Sequence, residues 1–294
     1  MLLQKNLTIG VDEVGRGSLI GGVFTCAAVM LPFNDSNNYI KGITDSKKIN
    51  AAKRESLFLT MLQSENHIFA LSVGNQIEIA RQNILGATLS SMSSSIKELL
   101  LFIANPQIFQ KITQCEFSPH LLEERFKLLS NENLESGNIM YLDSDLNANQ
   151  VYKNIPQTIS QKPTSSPILF CSKNAYNLAV RNCHILNSVT KNILVDGNKT
   201  PKISNEGKKN NVNISSIIRG DRKVYEISAA SIFAKLCRDI FIKKIMHPLH
   251  PEYQWDTNYG YGTYKHIEAI KKSGITKFHR AKFLRSITAK MTSK

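Results

Sequence analysis

The sequence predicts an α/β protein in which helices pack against a mixed β-sheet. Three observations support this prediction. Short apolar segments suited to strands recur along the chain, segments with apolar residues at helical spacing lie between them, and glycines punctuate the turns. Such an alternation of strands and helices is typical of a sheet flanked by helices.

The first third of the chain contains three predicted strands and two predicted helices. The strands cover residues 7–11, 23–31 and 67–73, and the helices cover about 50–64 and 77–102. Asn50 is suited to cap the first helix. The second helix carries apolar residues at intervals of three and four, which is the helical period.

The rest of the chain divides into three parts. Residues 104–189 are rich in Asn, Ser and Gln and contain five prolines, which predicts a large polar surface insertion with one short helix over 116–129. Beyond it, we predict a strand over 191–195, a basic polar loop over 198–213, and a helix over about 228–246. We therefore expect a core of residues 1–103 and 190–245, the insertion 104–189, and a basic C-terminal helical segment 246–294 with two short helices.

Composition narrows the classes of function. Lys and Arg number 37 against 23 Asp and Glu, a net charge of +14, which favours nucleic acid as a partner and an acidic membrane surface second. The hydrophobic fraction of 42% excludes global disorder. The longest apolar run, residues 17–32, is shorter than the ~20 residues of a membrane helix, so we expect no membrane span. The five cysteines are scattered and form no CxxC pair, which predicts a cytoplasmic protein without disulfides or structural zinc.

Four acidic residues lie in or next to apolar segments, where burying a carboxylate costs free energy. Asp12 and Glu13 follow the first strand, Asp196 ends the strand 191–195, and Asp239 interrupts an apolar helical stretch. Oxygen ligands with no His or Cys nearby suit Mg²⁺ or Mn²⁺, and two such ions on a basic protein suggest phosphodiester hydrolysis. The alternative is that each acid is a cap, a turn residue or half of an ion pair.

Six short motifs follow one another along the chain. They are residues 9–17 (IGVDEVGRG), 45–48 (DSKK), 83–88 (NILGAT), 195–197 (VDG), 229–235 (AASIFAK) with Arg238-Asp239, and 260–263 (GYGT) with His266 and His279-Arg280. In this order, the six motifs resemble the ribonuclease HII family. The resemblance covers roughly 1–103 and 190–285 and implies the ribonuclease H-like mixed sheet. Ser18 and Gly22 depart from it, since the family often has Pro there, and Ser228 replaces a usual Ala.

The resemblance also implies roles for individual residues. Catalytic and metal-binding roles fall on Asp12, Glu13, Asp196 and Asp239, and nucleic-acid-binding roles on Gly15, Arg16, Gly17, Ser46, Lys47 and Tyr261. The 15–17 segment would read the 2′-hydroxyl, Tyr261 would lie against the neighbouring sugar, and Ser46 and Lys47 would contact phosphates. His266, His279 and Arg280 would either hold the C-terminal helices together or line the duplex.

The expected activity is that of an endonuclease using Mn²⁺ or Mg²⁺. It would cut the RNA strand of RNA–DNA hybrids and nick 5′ of single ribonucleotides in duplex DNA, leaving 3′-hydroxyl and 5′-phosphate ends. We expect a monomer and sequence-independent binding. One rival is the ribonuclease HIII family, which the 15–17 motif argues against. The other is a non-catalytic nucleic-acid-binding module, which the presence of all four acids argues against.

Overall fold

A computed structural model describes residues 6–32, 39–43, 51–109, 167–203 and 211–288. These residues form a six-stranded mixed sheet with the strand order β4-β3-β2-β1-β5-β6. The strands are β1 (Asn6–Val14), β2 (Val23–Met30), β3 (His67–Gly74), β4 (Ile168–Cys171), β5 (Thr190–Asp196) and β6 (Val212–Ile217). Strands β1 to β4 pair antiparallel, whereas β5 and β6 run parallel to β1. The predicted mixed sheet is thus confirmed.

Helices cover both faces of this sheet. They are α1 (Ala51–Gln63), α2 (Gln76–Ala104), α3 (Lys173–Arg181), α4 (Cys183–Ser188), α5 (Tyr225–Ile240), α6 (Trp255–Asn258), α7 (Tyr264–Ser273) and α8 (Ala281–Thr288). A π-helical turn, Phe241–Met246, continues α5. The two predicted short C-terminal helices correspond to α7 and α8. No helix within the described ranges is long and apolar enough to cross a membrane.

The alternation of side chains along β1 sorts the core into two layers. Ile9 and Val11 face the layer that contains α2, together with Met92 and Leu99. The even-numbered positions of β1 face the opposite layer, which α5 fills with apolar side chains such as Phe233. Because successive residues of a strand point to opposite faces, Asp12 lies on the α5 side of the sheet.

Helix α5 runs alongside β1 in the same direction. A Cβ at Gly10 would overlap the backbone of Glu226 and Ile227 at the start of the helix. A Cβ at Gly15, beyond the end of the strand, would overlap the side chain of Arg238 near the end of the helix. Eleven residues of α5 and five residues of β1 both span about 16 Å, so the helix and the strand advance by the same distance between these two contacts. The last turn of α5 therefore lies at the carboxyl end of β1.

The structure differs from the sequence-based prediction at three places. Residues 168–188, predicted as part of an irregular insertion, form β4, α3 and α4, and β4 pairs with β3 at the sheet edge. Strand β6 begins inside the predicted loop 198–213. Helix α2 is interrupted at Asn83, where φ is 64° and the side chain accepts hydrogen bonds from the N–H groups of Leu85 and Gly86. The helix predicted over 116–129 lies outside the described residues.

Candidate active site

Asp12 and Asp196 lie side by side at the carboxyl end of two parallel strands. Their predecessors Val11 and Val195 are in register across β1 and β5, so the two aspartates occupy the next positions of adjacent strands. In-register neighbours share a face of a sheet, so both carboxylates lie on the α5 side. The register thus places two of the four acids that were predicted to hold metal on neighbouring strands.

Burial and neighbouring charge both act on Asp12. The side chain is 5% exposed, and burial raises its pKa well above the usual value of 3.8. The charges of Glu13 and Asp196 raise this pKa further, whereas a hydrogen bond from the Ser231 hydroxyl and one from the Glu13 N–H lower it. A carboxylate in such surroundings repels its acidic neighbours until a cation balances the charge.

Glu13 follows Asp12 on the other face of β1, and Asp12, Glu13 and Asp196 are together called the acidic corner. Its backbone N–H donates a 2.7 Å hydrogen bond to Oδ1 of Asp12. Its own carboxylate accepts a 3.1 Å hydrogen bond from Nη1 of Arg16. The first and second halves of the DEVGRG motif are thus linked by an ion pair at the end of β1.

Asp239 reaches this end of the sheet on the last turn of α5. Its Oδ1 accepts a 2.7 Å hydrogen bond from Nζ of Lys235, one helical turn earlier. Asp196 in turn accepts a 2.6 Å hydrogen bond from the Gly220 N–H. In the part of the chain that the structure describes, no three Asp, Glu, His or Cys side chains stand close enough together to coordinate one ion. The structure therefore places Glu13 and Asp196 near enough to act on the charge of Asp12, without the three forming a ready metal site, and it places Asp239 in an ion pair with Lys235.

The glycine-rich loop after β1 lies against the segment that contains Tyr261. Gly15 has a φ of 87°, and Arg16 and Gly17 are exposed, with open space where a Cβ of Gly17 would be. Ser18 forms an isolated β-bridge with Tyr261, and the Leu19 N–H donates a 2.8 Å hydrogen bond to the Gly260 carbonyl. The two motifs are 240 residues apart in sequence and adjacent in the fold.

Three C-terminal residues are structural rather than exposed to a duplex. His266, His279 and Arg280 are all buried. His266 accepts a hydrogen bond from the Trp255 indole and donates from Nδ1 to the Tyr261 carbonyl, at 3.0 Å each. Their burial supports a structural role over lining the duplex: His266 joins parts of the C-terminal segment, whereas Arg280 donates to carbonyls of the loop between β1 and β2. Ser46 and Lys47 lie outside the described residues.

Sequence reasoning missed three polar side chains of α5 that belong to this region. Ser231 contacts Asp12, Lys235 pairs with Asp239, and the guanidinium of Arg238 lies 5.3 Å from the ring centre of Tyr261. Their spacing of four and three residues places them on one helical face. That periodicity of polar residues within an apolar helix was the signal that could have revealed them.

A comparison with family models decides the family. The model described as Ribonuclease HII matches residues 9–138 and 132–286. The chain belongs to the ribonuclease HII family. A ribonuclease HII of Pelagibacter ubique (strain HTCC1062) is 30% identical over 93% of this chain and 94% of that protein. A ribonuclease HII of Neisseria meningitidis serogroup C (strain FAM18) is 26% identical over 94% of this chain and 92% of that protein.

The family assignment bears on the chemistry of the acidic corner. Members of the ribonuclease HII family are ribonuclease H endonucleases that act on RNA–DNA substrates and need a divalent metal ion. The carboxylate oxygens of Asp12, Glu13 and Asp196 are the type of ligand that suits such an ion. Among solved structures, ribonuclease H2 from Pyrococcus horikoshii OT3 is similar, with a TM-score of 0.47 and 17% identity over 98% of this chain and all of that chain.

Proposed function

We propose that this ribonuclease nicks duplex DNA 5′ of single embedded ribonucleotides and also cuts the RNA strand of RNA–DNA hybrids. The observation that carries the proposal is the juxtaposition of the acidic corner with the glycine-rich loop. Glu13 and Arg16 form a 3.1 Å ion pair, so the groups that would hold metal and the groups that would read the sugar are physically linked. Cleavage and recognition of ribose would then occur at one place.

The acids of this corner are suited to a two-metal centre with Mg²⁺ or Mn²⁺. Asp12 is the central member, since Glu13 and Asp196 both act on its charge. Asp239 would join after exchanging its contact with Lys235 for a metal ion, leaving the ammonium for the substrate's phosphate. Held by these carboxylates, such ions would supply activation of a water molecule and charge stabilisation for a hydrolysis that leaves 3′-hydroxyl and 5′-phosphate ends.

The loop and Tyr261 are suited to recognise the sugar. Gly17 has open space beside its Cα, so a sugar edge can approach the backbone closely. The Tyr261 ring is only partly buried and lies above the guanidinium of Arg238, which fixes one of its faces. The ammonium of Lys235 also lies 5.8 Å from the ring centre, so the exposed part of the ring would meet the sugar next to the cleaved linkage.

Its setting is proposed from the cysteines. Cys26, Cys171, Cys183 and Cys237 are free thiols in the structure, and Cys115 lies outside the described residues. Free buried thiols are typical of a reducing compartment, so we propose that the enzyme acts in the cytoplasm. We also propose that it acts as a monomer.

A cleavage assay with three labelled duplexes tests the activity. One duplex carries a single ribonucleotide, one is an RNA–DNA hybrid, and one is all DNA of the same sequence. We expect Mg²⁺ or Mn²⁺ to support a nick 5′ of the ribonucleotide and cleavage of the hybrid, while the all-DNA duplex stays intact and chelation stops both reactions.

Each other outcome favours a stated rival. Cleavage of the hybrid without a nick at the single ribonucleotide would indicate the specificity of the ribonuclease HIII family. Binding of both RNA-containing duplexes without cleavage, in either metal, would indicate the non-catalytic binding module. Treating the products with a phosphatase and a ligase identifies the chemical groups at the nick.

A further inference from the structure

Two buried arginines hold the loop that contains the predicted ribose-reading segment. Arg280, from the segment before α8, is 3% exposed. Its guanidinium donates four hydrogen bonds, of 2.8 to 3.0 Å, to backbone carbonyls of the loop that connects β1 with β2. The accepting carbonyls belong to Arg16, Ser18, Gly21 and Gly22. One side chain therefore satisfies four carbonyls of a loop that has no regular secondary structure of its own.

Arg238 holds the same loop from the side of α5. It is fully buried, and its Nη2 donates a 2.7 Å hydrogen bond to the Ser18 hydroxyl. Its Nη1 donates a 3.1 Å hydrogen bond to the Tyr259 carbonyl, and its guanidinium lies under the Tyr261 ring. Arg238 is thus in contact with the loop, with the tyrosine segment and, through the chain, with Asp239.

Ser18 makes this contact specific to the present sequence. Its hydroxyl lies within 3.0 to 3.1 Å of the Gly260 and Ile20 carbonyls, so it can donate to one of them while accepting from Arg238. A Pro, frequent here among sequences that this chain resembles, would offer no oxygen to the guanidinium. Ser18 therefore closes a buried polar connection between the loop and the tyrosine segment.

Burying these two arginines costs more free energy than a contact that only stabilises the fold requires. Within the described residues, neither Arg238 nor Arg280 forms an ion pair, and burial lowers the pKa of Arg280 to about 9. The charge of Arg238 lowers the pKa of Arg280 further, so the two guanidinium groups oppose one another. Apolar packing would stabilise the fold at less cost, whereas planar guanidinium groups fix several carbonyls in defined directions.

We propose that Arg238 and Arg280 are positioning residues that set the selectivity for ribose by fixing the loop 15–22 against the Tyr261 segment. The hydrogen bonds that their guanidinium groups donate in the described structure go to backbone carbonyls and to the Ser18 hydroxyl, and to no carboxylate. Their effect passes through the backbone of Gly15, Arg16 and Gly17, whose peptide groups would face the 2′-hydroxyl. This inference rests on the proposed function, since it assigns the selectivity of that same site.

The test compares Arg280→Lys and Arg280→Met with the wild type. Lysine keeps the charge but lacks the fork that reaches four carbonyls, and methionine removes the charge at similar length. We expect kcat/KM on the single-ribonucleotide duplex to fall roughly tenfold or more, mostly in kcat, because small misplacements of a site are costly. We also measure the affinities for the ribonucleotide duplex and the all-DNA duplex without divalent metal. The ratio of the first to the second should fall in both variants, and it should fall less in Arg280→Lys than in Arg280→Met.

Controls separate selectivity from folding. Arg285→Lys makes the same conservative change at an exposed arginine of α8. It should alter neither the ratio of the two affinities nor kcat/KM. All rates are measured well below each variant's melting temperature. If both Arg280 variants fail to fold, Ser18→Ala, which removes only the oxygen that accepts from Arg238, carries the test with the same readouts.

The outcomes distinguish the two proposals. A lower melting temperature with unchanged affinity ratio and unchanged kcat/KM would show that the arginines only stabilise the fold, and would overturn the inference. A wild-type enzyme that cuts no ribonucleotide-containing duplex would overturn the proposed function instead. In that case, the affinity ratio without metal still decides whether the arginines set selectivity in binding.

Discussion

Arg238 packs its side chain directly against the Cα of Gly15. A Cβ at residue 15 would overlap Nε of Arg238 and lie 2.8 Å from its Cδ. Gly15 also has a φ of 87°, in the region that favours glycine. The last turn of α5 and the beginning of the glycine-rich loop can therefore approach each other only because position 15 lacks a side chain.

The substitution Gly15→Ala is expected to destabilise the protein and to displace the glycine-rich loop, which lowers the cleavage activity. The positive φ costs a residue with a Cβ about 1–3 kcal/mol, and the overlap with Arg238 adds to that cost. Urea unfolding followed by circular dichroism measures the loss of stability, and the cleavage assay measures the loss of activity.

The adjacent variant Gly17→Ala is the matched control. Open space lies where its Cβ would be, so its stability should stay close to that of the wild type. Its activity on the single-ribonucleotide duplex should fall, because the new methyl group blocks close approach of the sugar to the backbone. Equal stability losses in the two variants would contradict the difference in packing between these glycines.

A second prediction concerns the central carboxylate. Asp12→Ala should abolish cleavage of every duplex while leaving affinity for the duplex largely intact, because phosphate contacts elsewhere dominate binding. Cleavage rates and gel-shift affinities measure the two effects. Glu252→Gln, which changes an exposed carboxylate of the C-terminal segment, should leave both unchanged. Wild-type turnover by the Asp12 variant would falsify its assignment to the metal centre.

The fold was largely predictable because apolar periodicity is local. Strands β1, β2, β3 and β5 and helices α1, α2 and α5 were each indicated by runs of apolar residues at the period of their element. Strand β4 has only four residues and pairs at the sheet edge, so it offers too short a pattern among Asn- and Ser-rich neighbours. Strand β6 has a polar sequence, VNISSI, and is recognisable only from its pairing with β5.

The site was predictable for residues that end a strand and much less so for those on a helix. Asp12 and Asp196 follow apolar strands, and parallel pairing necessarily brings such residues together. The pairing of Asp239 with Lys235 follows from their spacing of four residues on one helix, but the position of Asp239 relative to the strand ends depends on how α5 packs on the sheet, which no local pattern encodes. Likewise, the burial of Arg238 and Arg280 depends on contacts across more than 200 residues.

A third prediction concerns selectivity at the exposed end of the loop. The side chain of Arg16 is 48% exposed and pairs with Glu13, so it can turn toward a bound sugar-phosphate. Arg16→Ala should weaken affinity for the ribonucleotide duplex more than affinity for the all-DNA duplex. Fluorescence anisotropy with both duplexes measures the two affinities. Equal losses on both would show that Arg16 contacts phosphate only.

A fourth prediction is that the family residue is unfavourable at position 18. Ser18→Pro removes the hydroxyl that accepts from Arg238 and the N–H that donates to the Gly15 carbonyl. A buried guanidinium N–H without its acceptor costs about 1–3 kcal/mol, so the variant should be less stable than the wild type.

Ser228→Ala is the matched change toward the family residue. The Ser228 hydroxyl donates to the carbonyl of Asp221 or of Val224, both in the segment before α5, and no charged group depends on it. Its loss should cost about 1 kcal/mol or less. Urea unfolding of both variants measures the difference, and a Ser18→Pro variant as stable as Ser228→Ala would contradict the polar connection described for Arg238.

The fifth prediction concerns pH and metal together. Since the pKa of Asp12 is raised in the folded protein, the folded state binds this proton more tightly than the unfolded chain. The metal-free protein should therefore lose stability from this group as pH rises above about 3.8, the usual value, through the raised folded pKa. Asp12→Asn cannot ionise, so the melting temperature of the wild type minus that of Asp12→Asn should fall over this range.

A divalent cation should reverse this loss. At neutral pH, Mg²⁺ or Mn²⁺ binds the ionised Asp12 of the folded state and should raise the melting temperature of the wild type, but much less that of Asp12→Asn. Differential scanning fluorimetry from acid to neutral pH, with and without metal, measures both effects. Taking the difference from Asp12→Asn cancels the other titrating groups, such as Glu98, whose pKa burial raises to about 7. Parallel melting curves for the two proteins at all pH values would show that Asp12 carries no uncompensated charge.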